Sequence, residues 1–118
     1  MIDDTFLNQL TQTIAHRFHP RRIILFGSRA RGHARTDSDV DLFVEMETSK
    51  PPPERAIEIS SLFGLRAWSL DVVVYTSEEV AKLRGVHGTL LAAVEAEGKL
   101  LYERPQVELS RVGGGSRK

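Results

Sequence analysis

Two apolar, strand-like runs set the strongest constraint on this chain, because polar residues are placed only where the runs begin or end. Arg22-Ile23-Ile24-Leu25-Phe26 runs into the turn-former Gly27-Ser28, and Val40 to Glu45 forms a second mostly apolar run, with the alternating acids Asp39 just before it and Asp41 at its start. Both runs favour β-structure and both abut turn signals, so two strands are expected with polar chemistry at their ends. Residues two apart on a strand share a face, so Asp39 and Asp41 converge while Val40 and Leu42 turn toward a core.

The acidic pair and the glycine turn each have an ordinary reading. A Gly-Ser after a strand is most often a plain strand-to-helix turn with a capping serine. It also lets backbone amides approach phosphate oxygens with no Cβ in the way, and Ser28 adds a hydroxyl donor. Two bare carboxylates about 6 Å apart at an effective dielectric of ~20 repel by roughly 3 kcal/mol, which a bound divalent cation would reverse. Solvated acids at a strand edge are the alternative for an isolated pair. Known phosphate loops do not fit: His33 and Ala34 follow Gly32 where a Walker loop needs lysine and a hydroxyl residue, and G-x-G-x-x-G is absent. Charge is segregated around the motif. Arg17, Arg21, Arg22, Arg29, Arg31 and Arg35 occur without an acid, and then Asp37, Asp39, Asp41, Glu45 and Glu47 without a base. Arg29 and Arg31 are candidates to neutralise phosphate charge, with one of the two expected to touch substrate.

The remaining elements follow from periodicity and turn chemistry. Phe6, Leu7, Leu10, Ile14 and Phe18 lie at helical spacing from Asp3 to Phe18, and Pro20 closes that helix. Ser28 is placed to cap one or two turns of helix through Arg31, before Gly32 breaks the chain. Lys50-Pro51-Pro52-Pro53 reads as a stiff linker, followed by a helix from Glu54 to Phe63 that offers Ile57, Ile59, Leu62 and Phe63 to the core. Ser69 to Tyr75 is the strongest strand signal, and its Asp71 either projects beside Asp39 and Asp41 or, on the ordinary reading, sits at an exposed strand entrance or caps a turn. Thr76 and Glu79 form a capping box for a helix that Gly85 ends. A helix from Gly88 to Ala96 and a strand from Lys99 to Tyr102 complete the pattern.

Composition removes several classes. At 118 residues, residues 1–104 are expected as one domain and 105–118, with Gly113-Gly114-Gly115, as a flexible tail. Absence of cysteine excludes thiol nucleophiles and zinc-thiolate sites. His16, His19, His33 and His87 show no metal-ligand spacing, and no hydrolytic triad stands out. A net charge of zero from 16 basic and 16 acidic residues argues against general nucleic-acid binding. With no apolar run of about 20 residues and no leader-like start, a cytoplasmic protein is expected.

Gly27-Ser28, ten intervening residues and then Asp39-Val40-Asp41 resembles the G-S-x10-D-x-D signature of the DNA polymerase β-like nucleotidyltransferases, and Gly27 to Gly32 with Ser38 to Leu42 is similar to their minimal branch. Asp71 in Leu70-Asp71-Val72-Val73 matches that family's third carboxylate, and the likeness runs from about Phe6 to Glu103. The resemblance implies an α/β (α+β) fold, a short mixed sheet of about four strands flanked by helices. It implies transfer of a nucleoside monophosphate, AMP from ATP, onto an acceptor hydroxyl. Asp39 and Asp41 would hold two Mg2+ ions, Asp71 would ligate the ion that activates the acceptor, and Gly27 and Ser28 would hold the leaving phosphates. Stand-alone members of the branch are similar to antitoxins that attach AMP to a tyrosine of a partner HEPN-domain RNase toxin, in a type VII-like pair. The short chain agrees with an acceptor supplied by a partner, a hetero-oligomer without membrane or direct nucleic-acid binding. Two alternatives stand beside it: a non-catalytic antitoxin that neutralises by occlusion, and nucleotidyl transfer to a small molecule or RNA.

Overall fold

The computed structural model describes residues 2–30, 32, 39–66 and 68–105. The helical spacing of Leu7, Leu10 and Ile14 produces α1 (Asp4–Phe18), with Thr11 and Ala15 buried on the same side. Asp3 caps it by accepting a hydrogen bond from the Phe6 amide at 2.9 Å. At the other end His19 adopts a left-handed conformation (φ 51°) and its amide reaches Ala15 O, after which Pro20 prevents continuation.

Among the described residues four strands form one mixed sheet. They are β1 (Arg22–Phe26), β2 (Asp39–Glu45), β3 (Ser69–Tyr75) and β4 (Lys99–Glu103), in the order β3-β2-β1-β4. β1 pairs antiparallel with both β2 and β4, and β2 pairs parallel with β3. The parallel pair needs a crossover, supplied by α3 (Pro52–Ser60) and a 3-10 turn (Ser61–Phe63). Ile23, Ile24 and Leu25 are all buried, because the central strand β1 is covered on both faces.

Two cores result. On one face α1 and α3 bury Leu7, Leu10, Ile14 and Ile59 against Ile23, Leu25, Val40, Leu42 and Val44. On the other, α4 (Ser77–Leu83) and α5 (Leu90–Glu97) bury Val80, Leu91 and Val94 against Ile24 and Phe43. The Thr76–Glu79 capping box forms as expected. Gly98 lets α5 close onto the sheet, since a Cβ there would strike Ile24 and the Val94 carbonyl.

The structure departs from the sequence reading in four places. Pro52 and Pro53 belong to the first turn of α3 rather than to a linker, since first-turn amides need no intrahelical acceptor. Ile57 is 62% exposed, because the buried line of α3 runs through Arg55 and Ile59. The last helix starts at Leu90, with Thr89 capping it by accepting from Ala92 N, rather than at Gly88. After β1 comes α2 (Gly27–Ala30), so Ser28 lies inside the turn instead of capping it. The expected tail lies outside the described residues except for Pro105. Among the described residues no helix is long and apolar enough to cross a membrane.

Candidate active site

Strand alternation puts Asp39, Asp41, Phe43 and Glu45 of β2 on one face of the sheet. Further along the strand α4 and α5 cover that face, leaving Phe43 fully buried and Glu45 only 4% exposed. At the beginning of β2 the cover stops: Asp39 is exposed and Asp41 half-buried. The parallel register pairs Asp41 with Asp71 and Asp39 with Ser69. Asp71 therefore emerges beside Asp41 on the same face, thirty positions away in sequence. Of the two readings open for Asp71, the one beside the acidic pair holds, and the residue is also exposed.

The glycine turn closes over this pair. β1 ends at Phe26, the register partner of Asp41, and Gly27 follows with φ +76°. A Cβ on Gly27 would run into Asp41 Oδ2 and stand 3.2 Å from its Cγ. Both the backbone conformation and the carboxylate thus require glycine here. Arg29, two residues later, donates from Nε to the Asp39 carbonyl oxygen at 2.8 Å, a contact that no sequence pattern announced. Arg31 lies outside the described residues, and for Ser28 only the backbone is described.

Electrostatics single out Asp41. Burial first, then the charge of Asp71, a hydrogen bond with its carboxyl group and the charge of Asp39, raise the Asp41 carboxyl above the ordinary aspartate range. An acid held among acids is a poor structural element and a good receptor for positive charge.

Residues 8–107 match the family model for polymerase beta, nucleotidyltransferase. The chain belongs to the polymerase beta nucleotidyltransferase family. Two solved structures are similar to this nucleotidyltransferase domain. A candidate nucleotidyltransferase from Sulfolobus solfataricus is 19% identical, the match covering 83% of this chain and 78% of that one at a TM-score of 0.55. A toxin-antitoxin with AMP-PNP is 23% identical, covering 84% of this chain and 75% of that one at a TM-score of 0.54. At such identities the likeness shows the fold alone. No curated protein matches the chain.

Among the described residues Asp39, Asp41 and Asp71 offer carboxylate oxygens, donors that suit a hard divalent cation. Among the described residues no group of three His, Cys, Asp or Glu side chains stands ready to hold a metal ion. Mg2+ is commonly bound by one or two carboxylates together with substrate phosphate oxygens rather than by an all-protein cage. Asp41 with Asp71 is the pair the fold brings together; Asp39 stands two residues away on the same face, at the open end.

Proposed function

We propose that this nucleotidyltransferase domain transfers AMP from ATP to the hydroxyl of a partner protein, a tyrosine of a HEPN-domain RNase toxin, and acts as the antitoxin of that pair. The observation that carries the reading is the register Asp41–Asp71 beneath the Gly27 turn, which brings acids from two strands to a place where phosphate oxygens can approach backbone. Family membership supports the reaction class. The similarity of fold to a toxin-antitoxin with AMP-PNP supports the nucleotide and the kind of partner.

In this reading the acceptor oxygen attacks the α-phosphorus, the bond from that phosphorus to the bridging oxygen breaks, and pyrophosphate leaves. Asp71 is exposed and so can take the hydroxyl proton. Gly27 and Ser28 hold the departing phosphates, and positive charge against them falls to one of the two motif arginines, Arg29 or Arg31. Asp39, Asp41 and Asp71 would hold two Mg2+ ions, which when bound neutralise the triphosphate and the charge developing on it. The protein contributes position and electrostatics, so no nucleophilic side chain is needed.

The direct test incubates the chain with α-labelled ATP, Mg2+ and the product of the neighbouring gene, followed by mass spectrometry of all products. Label on a partner tyrosine is expected. Label on RNA or a small molecule would move the acceptor to another class. Neutralisation that survives Asp39→Ala with Asp41→Ala would replace catalysis with occlusion.

A further inference from the structure

We infer that Arg29 is a positioning residue, whose side chain fixes the backbone that carries Asp39. This deepens the reading above and rests on it for its catalytic consequence.

The register explains why such a residue is needed. β1 ends at Phe26 opposite Asp41, so Asp39 and Val40 lie beyond the last β1 register partner while they stay registered with Ser69 and Leu70 of β3. A strand end opens more readily than a strand centre. Arg29 sits on the single-turn helix α2 that continues from β1, and its Nε donates to the Asp39 carbonyl at 2.8 Å. The side chain supplies a hydrogen bond where the β1 backbone has run out. It also ties together the two ends of the segment between the glycine turn and the first carboxylate. The Asp39 carboxylate is attached to the Cα beside that carbonyl, so its location depends on the same tie.

The chemistry of the donor gives a clean test. Glutamine places its side-chain amide nitrogen at the same position along the side chain as arginine Nε, without the charge. Leucine fills similar space with no donor, and lysine keeps the charge but changes the donor's reach. AMP transfer is measured at varied ATP for wild type, Arg29→Gln, Arg29→Lys and Arg29→Leu. Amide hydrogen exchange over residues 39–44 is measured on the same proteins without nucleotide. Arg29→Leu is expected to lose on the order of 10²-fold in kcat, the scale of a small misplacement of a reacting group, with KM for ATP moving less than about threefold. It should also speed exchange at the start of β2, and Arg29→Gln should recover most of both losses.

A rise in KM for ATP shared by Arg29→Gln and Arg29→Leu and spared in Arg29→Lys would overturn the inference in favour of a phosphate contact. Unchanged exchange in Arg29→Leu would overturn it as well. If the leucine variant does not fold, glutamine against lysine still decides, because positioning ranks glutamine first and phosphate binding ranks lysine first. If wild type transfers AMP to nothing, the proposed function fails, while the exchange data still decide what Arg29 does.

Discussion

Asp41 and Glu45 lie four residues apart on one strand and face the same side of the sheet, yet their surroundings are opposite. Glu45 is gripped by Arg22 Nε at 2.6 Å and accepts from the Ser77 hydroxyl at 2.9 Å. Arg22 continues to Glu95 at 2.8 Å, and Glu95 to Arg84 at 2.5 Å. The buried acid is thereby built into a chain of alternating charges that fastens α4 and α5 to the sheet. Asp41 has a glycine where a side chain would collide, and its charged neighbours on the sheet are Asp71 and Asp39. One end of the strand spends its acid on holding the fold, and at the other Asp41 faces Asp71, an arrangement that holds no such structural gain.

The contrast can be broken in order of expected effect. Asp39→Ala with Asp41→Ala should abolish transfer, by roughly 10³-fold or more in kcat, the scale seen when electrostatic stabilisation is removed, while the protein stays folded by circular dichroism. Glu45→Ala should do the reverse. It removes the more buried of the two carboxylates that Arg22 contacts while Glu95 remains, and a loss of about 2 kcal/mol of unfolding free energy in urea is expected.

Asp41→Asn should stabilise the protein without Mg2+ by about 1 kcal/mol, as removal of a strained functional charge often does, and should abolish the Mg2+-induced rise in Tm. The sign follows from its raised pKa. Folding favours the protonated carboxyl, so that contribution is present below the ordinary aspartate pKa and fades as pH rises through the folded value. The advantage of Asp41→Asn over wild type therefore grows with pH across that window.

Glu95→Gln gives the smallest and opposite effect. Hydrogen bonding to Arg84 first, with Arg22 adding, lowers the Glu95 carboxyl below its ordinary range against the opposing effect of burial. Its stabilisation is present above the ordinary glutamate pKa and is lost as pH falls through the lowered value. The pair is partly exposed, so a few tenths to about 1 kcal/mol is expected, closing in acid urea titrations.

What the sequence revealed divides along the same line. The strand Ser69–Tyr75, the Thr76–Glu79 capping box and the two strands around the glycine turn are local signals, and each forms where local chemistry placed it. The acids at 39, 41 and 71 stood out because carboxylates interrupt or adjoin apolar runs. The compensating network did not, since Arg22 meets Glu95 across 73 positions and Arg55 on α3, itself 6% exposed, meets Glu79 on α4 across 24. Such partners follow only from how the sheet is ordered. The prolines misled for a related reason: three in a row look like a spacer until the chain around them shows that two open a helix.

The parallel pairing of β2 with β3 has a consequence for how freely this chain can change length. Between Glu45 and Ser69 the crossover can gain or lose residues, and Asp71 still arrives beside Asp41, because it is registered by the ladder and not by counting along the chain. The ladder itself has no such freedom: a slip of one position would turn Asp71 to the face that Leu70 now occupies. Between the glycine turn and Asp39 the two ends are instead tied to each other directly, through the hydrogen bond from Arg29 to the Asp39 carbonyl. Insertions should therefore be tolerated on one side of β2 and exclude function on the other.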